Sequence, residues 1–119
     1  MSGLAESSTD ARSKTIGKNF RCRAWVSFNG TGTVAIRDSG NVSSISDLST
    51  GRYEVNLTSA MPDTDYAVLV DGNVNGSNVD TRRLSRTTHF YTSGVKLVCG
   101  STIANSEEEW EFISVAFFR

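Results

Sequence analysis

Residues 52–58 read "RYEVNLT", and their alternation decides the fold. Tyr53, Val55 and Leu57 fall on one side of an extended chain, with Arg52, Glu54 and Asn56 on the other. Period two with large apolar groups on one face predicts a half-buried β-strand. "STG" at 49–51 supplies a turn before it, and Met61-Pro62 stops the run after it, since proline cannot donate to a ladder.

The same grammar repeats outward in both directions. Phe20, Cys22, Ala24, Val26 and Phe28 alternate with Arg21, Arg23, Trp25 and Ser27, which predicts a strand with an apolar inner face. Trp25 lies on the opposite side and asks for a second cover. "NGTG" at 29–32 breaks this strand, Thr33–Arg37 resumes it, and "RDSGN" at 37–41 reads as the next turn. Val42–Leu48 is a short strand closing a hairpin with 52–58. Tyr66–Val70 is continuously apolar and reads as a central strand. Asp71–Arg83 is a long, polar, glycine-bearing loop. Leu84–Thr92 and Val95–Cys99 form a further pair around "TSG", and Gly100–Glu109 is a second loop.

The last run, "WEFISVAFFR" at 110–119, is apolar on both faces. Trp110, Phe112, Ala116 and Phe118 share one side by parity, and Ile113, Val115 and Phe117 the other. A sheet with one wet side does not need this, so the strand is expected to be covered twice, by its own core and by another subunit. Together these runs predict an all-β fold, an antiparallel β-sandwich (jelly-roll-like or Ig-like) of about 7–8 short strands. Residues 1–18 are small, polar and charged and are expected to form an extended arm, leaving 19–119 as one sandwich domain.

Composition removes several functions. The net charge is -1, which gives no general electrostatic reason to hold nucleic acid or an anionic membrane. The basic residues cluster in the arm, at Arg12, Lys14 and Lys18, and at Arg82, Arg83 and Arg86; Glu107–Glu109 form an acidic run. No stretch has the length of a transmembrane span and "MSGLAESSTDARSK" lacks the apolar centre of a signal peptide. Cys22 and Cys99 show no metal-ligand spacing; a disulfide and two buried thiols both remain open. Four N-x-S/T triplets, at Asn29, Asn41, Asn56 and Asn75, arise readily by chance in a chain so rich in Asn, Ser and Thr.

Chemistry is hard to find. His89 is the only histidine, and its neighbours Thr88 and Phe90 read as strand, so a packing or surface role outweighs a catalytic one. Asp63 and Asp65 in "PDTD" read as turn caps. A carboxylate pair such as Asp63 and Asp80, working as a small glycan-acting enzyme, is the least favoured reading. Glu107–Glu109 reads as a solvated loop rather than a calcium site, a divalent ion at Asp71, Asn73, Asn75 and Asn78 is conceivable but disfavoured, and no phosphate-binding glycine motif precedes a helix. No cofactor and no metal is expected. Asn73, Asn75, Asn78, Arg82 and Arg83 in the long loop could meet a polar surface or the hydroxyls of a host-surface glycan.

Residues 23–69, "RAWVSFNGTGTVAIRDSGNVSSISDLSTGRYEVNLTSAMPDTDYAVL", resemble a module of tailed-bacteriophage structural proteins, including distal tail-fibre regions. The shared elements are "RAWVSFNG", "NVSSISD" and "GRYEVNLTSAMP", and the stretch 23–69 covers somewhat more than a third of the chain. The resemblance implies a β-rich, trimeric virion component without enzymatic activity, made in the host cytoplasm and partnered by other virion proteins. With only a short arm before the module, the chain is expected to be a capsid decoration protein or a tail-fibre-type attachment subunit. Arg12, Lys14, Ile16 and Lys18 are then the candidate anchoring arm. Trp25, Trp110, Ile113, Val115, Phe117 and Phe118 are the candidate interface between copies.

Overall fold

A computed structural model describes residues 21–76, 83–101 and 106–119. The strands are β1 (Cys22–Asn29), β2 (Ala35–Gly40), β3 (Val42–Ser49), β4 (Arg52–Leu57), β5 (Ala67–Asn73), β6 (Arg83–Tyr91), β7 (Gly94–Ser101), β8 (Ser106–Glu107) and β9 (Phe112–Phe118). Eight of them form two four-stranded antiparallel sheets, in the orders β2-β1-β9-β5 and β3-β4-β7-β6; the two-residue β8 adds to β7. The expected antiparallel sandwich is therefore the fold.

Its core is the sum of the inward parities. Ala24, Val26 and Phe28 of β1 and Ile113, Val115 and Phe117 of β9 face Tyr53, Val55 and Leu57 of β4 and Val95, Leu97 and Cys99 of β7. All are buried, and Phe28 meets Tyr53 edge-on at 5.4 Å between ring centres. Burying side chains of this size contributes about 1.5–3 kcal/mol each. Tyr66, just ahead of β5, packs on Phe117 and donates its hydroxyl to the carbonyls of Tyr91 and Gly94, so a buried polar tip is satisfied.

Several expectations change. "RDSGN" is not the turn: β2 runs on to Gly40, and the chain crosses between sheets at Asn41, at φ 58°. Asparagine tolerates this left-handed region because its amide replaces lost backbone bonds. Asn41 donates to the carbonyls of Arg23 and Ser59 and accepts from the Ser59 N–H.

Tyr66–Val70 is not central, because β5 lies at the edge of its sheet. Val68 and Val70 point inward while Ala67 and Leu69 are exposed, so the run is continuously apolar because the outer positions are apolar as well. Cys22 is exposed and Cys99 buried, and both thiols are free. A register shift between Cys22 and Ala24 takes Cys22 out of the inward parity. Phe20 lies outside the described residues.

Candidate functional site

The two outer faces of the sandwich carry different mixtures of polar and apolar groups. On the β3-β4-β7-β6 sheet polar groups are mixed with the exposed Leu48 and Leu84. Asn56 donates to the hydroxyls of Ser44 and Ser46, Arg52 pairs with Glu107, and Lys96 stands opposite Glu54.

The β2-β1-β9-β5 sheet presents an apolar outer face. One register row runs Gly40, Trp25, Ala116, Leu69 across all four strands, and the next pairs Phe118 with Ala67. Leu69 is 64% exposed, Trp25 40% and Phe118 38%. Trp25 lies over Gly40, where a Cβ would come within 2.5 Å of its indole nitrogen. Glycine at that position is what lets the ring lie down on β2.

Around this patch the chemistry turns polar. The following row reads Asp38, Ser27, Ser114, Asp71. Each aspartate caps the backbone N–H that follows it, at 2.9 Å for Ser39 and 2.8 Å for Gly72, and neither has an ion pair among the described residues. Arg37 lays its guanidinium 4.2 Å above the Phe112 ring and donates to the Glu111 carbonyl at 2.7 Å, covering one end of β9. At the other end Arg119 grips both carboxylate oxygens of Asp63. This grip, with a further hydrogen bond from the Asp65 N–H, draws the Asp63 carboxyl down to about 2.

The candidate interface residues separate accordingly. Trp25 and Phe118 lie on the exposed face. Trp110, Ile113, Val115 and Phe117 are buried in the core of a single chain, so they are not surface available to a partner. Trp110 leaves its expected parity because β9 starts only at Phe112, and the bend before it turns the indole inward. Its carbonyl accepts from Gly30, and its indole N–H reaches Glu108 at 3.4 Å. Leu69 and Ala67 were missed as site residues because a central strand would have hidden them.

The candidate recognition loop is described only at its two ends. Asn73 belongs to β5 opposite Phe112, and Asn75 follows it on the surface. Arg83 belongs to β6 and pairs with Glu108 at 2.8 Å, tying β6 to the segment that follows β8. Asn78 and Arg82, and Arg12, Lys14, Ile16 and Lys18 of the arm, lie outside the described residues. His89 is exposed and stacks on Tyr91 with ring centres 6.1 Å apart. No group of three or more His, Cys, Asp or Glu side chains among the described residues is placed to hold a metal ion.

Fold and surface thus define an antiparallel β-sandwich in which each sheet carries exposed apolar groups, Trp25, Leu69 and Phe118 on one and Leu48, Leu84 and Phe90 on the other. No family model, curated protein or solved structure matches the chain.

Proposed function

We propose that this chain is a non-enzymatic structural component of a bacteriophage virion that works by assembling, as a trimer, into the capsid surface or the tail. The observation that carries the reading is the apolar outer face around Trp25, Ala116 and Leu69, since monomeric proteins seldom leave a contiguous apolar patch of this kind in water. The resemblance of residues 23–69 to virion structural modules supports the same class and supplies the phage setting. Between decoration of a capsid and a fibre-type attachment role, the resemblance favours the tail.

Light scattering of the purified protein at low concentration tests it. A mass near three times 12.9 kDa is expected. A monomer that also fails to bind empty capsids or isolated tails would remove the proposal.

A further inference from the structure

We infer that Asn75 is a site of spontaneous covalent modification, converted through a succinimide to aspartate and isoaspartate, and that the fold protects Asn29 from the same reaction. An asparagine followed by glycine meets the least steric resistance to it, because glycine has no Cβ to crowd the ring that forms. The chain holds two such pairs, Asn29–Gly30 and Asn75–Gly76. The structure treats them in opposite ways.

The nucleophile is the backbone nitrogen of the glycine. A base removes its proton, and the nitrogen attacks Cγ of the preceding asparagine. The bond from Cγ to the side-chain nitrogen breaks, and ammonia leaves. Water is the co-reactant that opens the ring. Cleavage at Cγ gives aspartate, and cleavage at the former backbone carbonyl gives isoaspartate. Nothing is oxidised or reduced.

Gly30 is closed to this chemistry. It is buried, and its N–H donates to the Trp110 carbonyl at 2.9 Å, so base has no access to the proton. The Asn29 amide oxygen accepts from the Thr31 N–H at 2.9 Å and from the Thr31 hydroxyl at 2.6 Å. Those donors would polarise Cγ, but they act on a carbon whose nucleophile is already committed. Asn29 is also fixed in β1, opposite Ala35 of β2.

Gly76 is open. The Glu111 N–H holds the Val74 carbonyl at 3.1 Å, and beyond that bond Asn75 and Gly76 are both exposed and outside the strands. Among the described residues no acceptor holds the Gly76 N–H, so base in the solvent reaches it. The related pair Asp71–Gly72 is held in the ladder of β5 with β9, and an ionised carboxylate is a poorer electrophile than an amide. Each conversion of Asn75 adds one negative charge to a chain of net charge -1. Gly76 borders the Phe112 ring, which Arg37 covers at 4.2 Å, so the charge arises at the end of the sandwich that carries this guanidinium.

The test incubates the folded protein at mildly alkaline pH and follows it by peptide mass mapping, with isoaspartate methyltransferase as the probe for the rearranged product. Asn75 is expected to convert while Asn29 stays intact, and in urea both should convert at similar rates. Gly76→Ala is expected to slow conversion of Asn75 several-fold and to keep the wild-type circular dichroism, since a Cβ there meets Phe112 at an ordinary 3.4 Å and the position has no positive φ. Conversion of Asn29 as fast as Asn75 in the folded protein would overturn the inference. So would an Asn75 no faster than Asn41 or Asn56, or an unchanged rate in Gly76→Ala. An Asn29 that still resists in urea would show that its protection does not come from the fold.

Discussion

The Tyr53 hydroxyl donates to the Gly30 carbonyl at 2.8 Å, a buried hydrogen bond that locks one sheet to the other. Gly30 follows β1 and gives its own N–H to the Trp110 carbonyl, so a single glycine holds both β4 and the entry to β9. A Cβ there would lie 2.5 Å from the Tyr53 oxygen and 2.8 Å from the Ile113 methyl. Gly30→Ala is therefore expected to destabilise by about 1–3 kcal/mol through overpacking. Tyr53→Phe should cost about 1–3 kcal/mol by leaving a buried carbonyl unpaired. Urea denaturation of both variants checks this, and a midpoint equal to wild type would contradict it.

Asn41 makes a second lock, of different chemistry. Asn41→Gly relieves the positive φ but loses the bonds to Arg23 and Ser59, whereas Asn41→Ala loses the bonds and retains the strain. Both variants should fall below wild type, with Ala the lower by about 1 kcal/mol. Thermal unfolding of the three proteins orders them. The reverse order of Ala and Gly would mean that φ is not what makes the position selective.

The sandwich was legible in the sequence where one face was wet. "RYEVNLT" alternates cleanly because its outward positions face water, and all its side chains point as parity predicts. The β5 and β9 strands were harder for the opposite reason. With both faces apolar, alternation loses contrast, and Tyr66–Val70 looked central while it is an edge. Trp110 and Cys22 show a second limit. A bend before β9 and a register shift in β1 reset the parity, and neither has a local signal as strong as proline or a glycine turn. Parity kept Ile113, Val115 and Phe117 together but could not say which side of β9 is the core; all three belong to it, as does Trp110, while Leu69 was overlooked.

On the acid side, the surface pair Asp63–Arg119 sets the behaviour. The Asp63 carboxyl lies at about 2 against an ordinary 3.8, held there by Arg119 and by the Asp65 N–H. A carboxyl lowered in the folded state stabilises fully above its unfolded value and loses that contribution as pH falls through the folded one. Stability should therefore decline between about pH 4 and pH 2, and Asp63→Asn should flatten that decline. Glu107, lowered by Arg52, acts in the same direction and leaves a residual slope. Because both pairs are exposed, the effect at neutral pH should be small and weaken with salt. Unfolding curves at stepped pH are the check, and an unchanged acid slope in Asp63→Asn would assign the effect elsewhere.

The alkaline side depends on the core. Burial raises the Cys99 thiol to about 12 from 9.0, and burial likewise raises the Tyr53 hydroxyl. The unfolded chain gives up these protons first, so their contribution is complete below about pH 9 and is lost as pH rises through the folded values. Each group adds a slope of at most about 1.4 kcal/mol per pH unit within its window. Cys99→Ala should be less stable at neutral pH, because it leaves a small cavity, yet less sensitive between pH 9 and 12. Thiol reactivity gives an independent reading of the same burial. One cysteine, Cys22, should react in the native protein and both after denaturation, since Cys22 is exposed and Cys99 is not. Two fast thiols in the native state would mean that β7 opens far more readily than a packed central strand should.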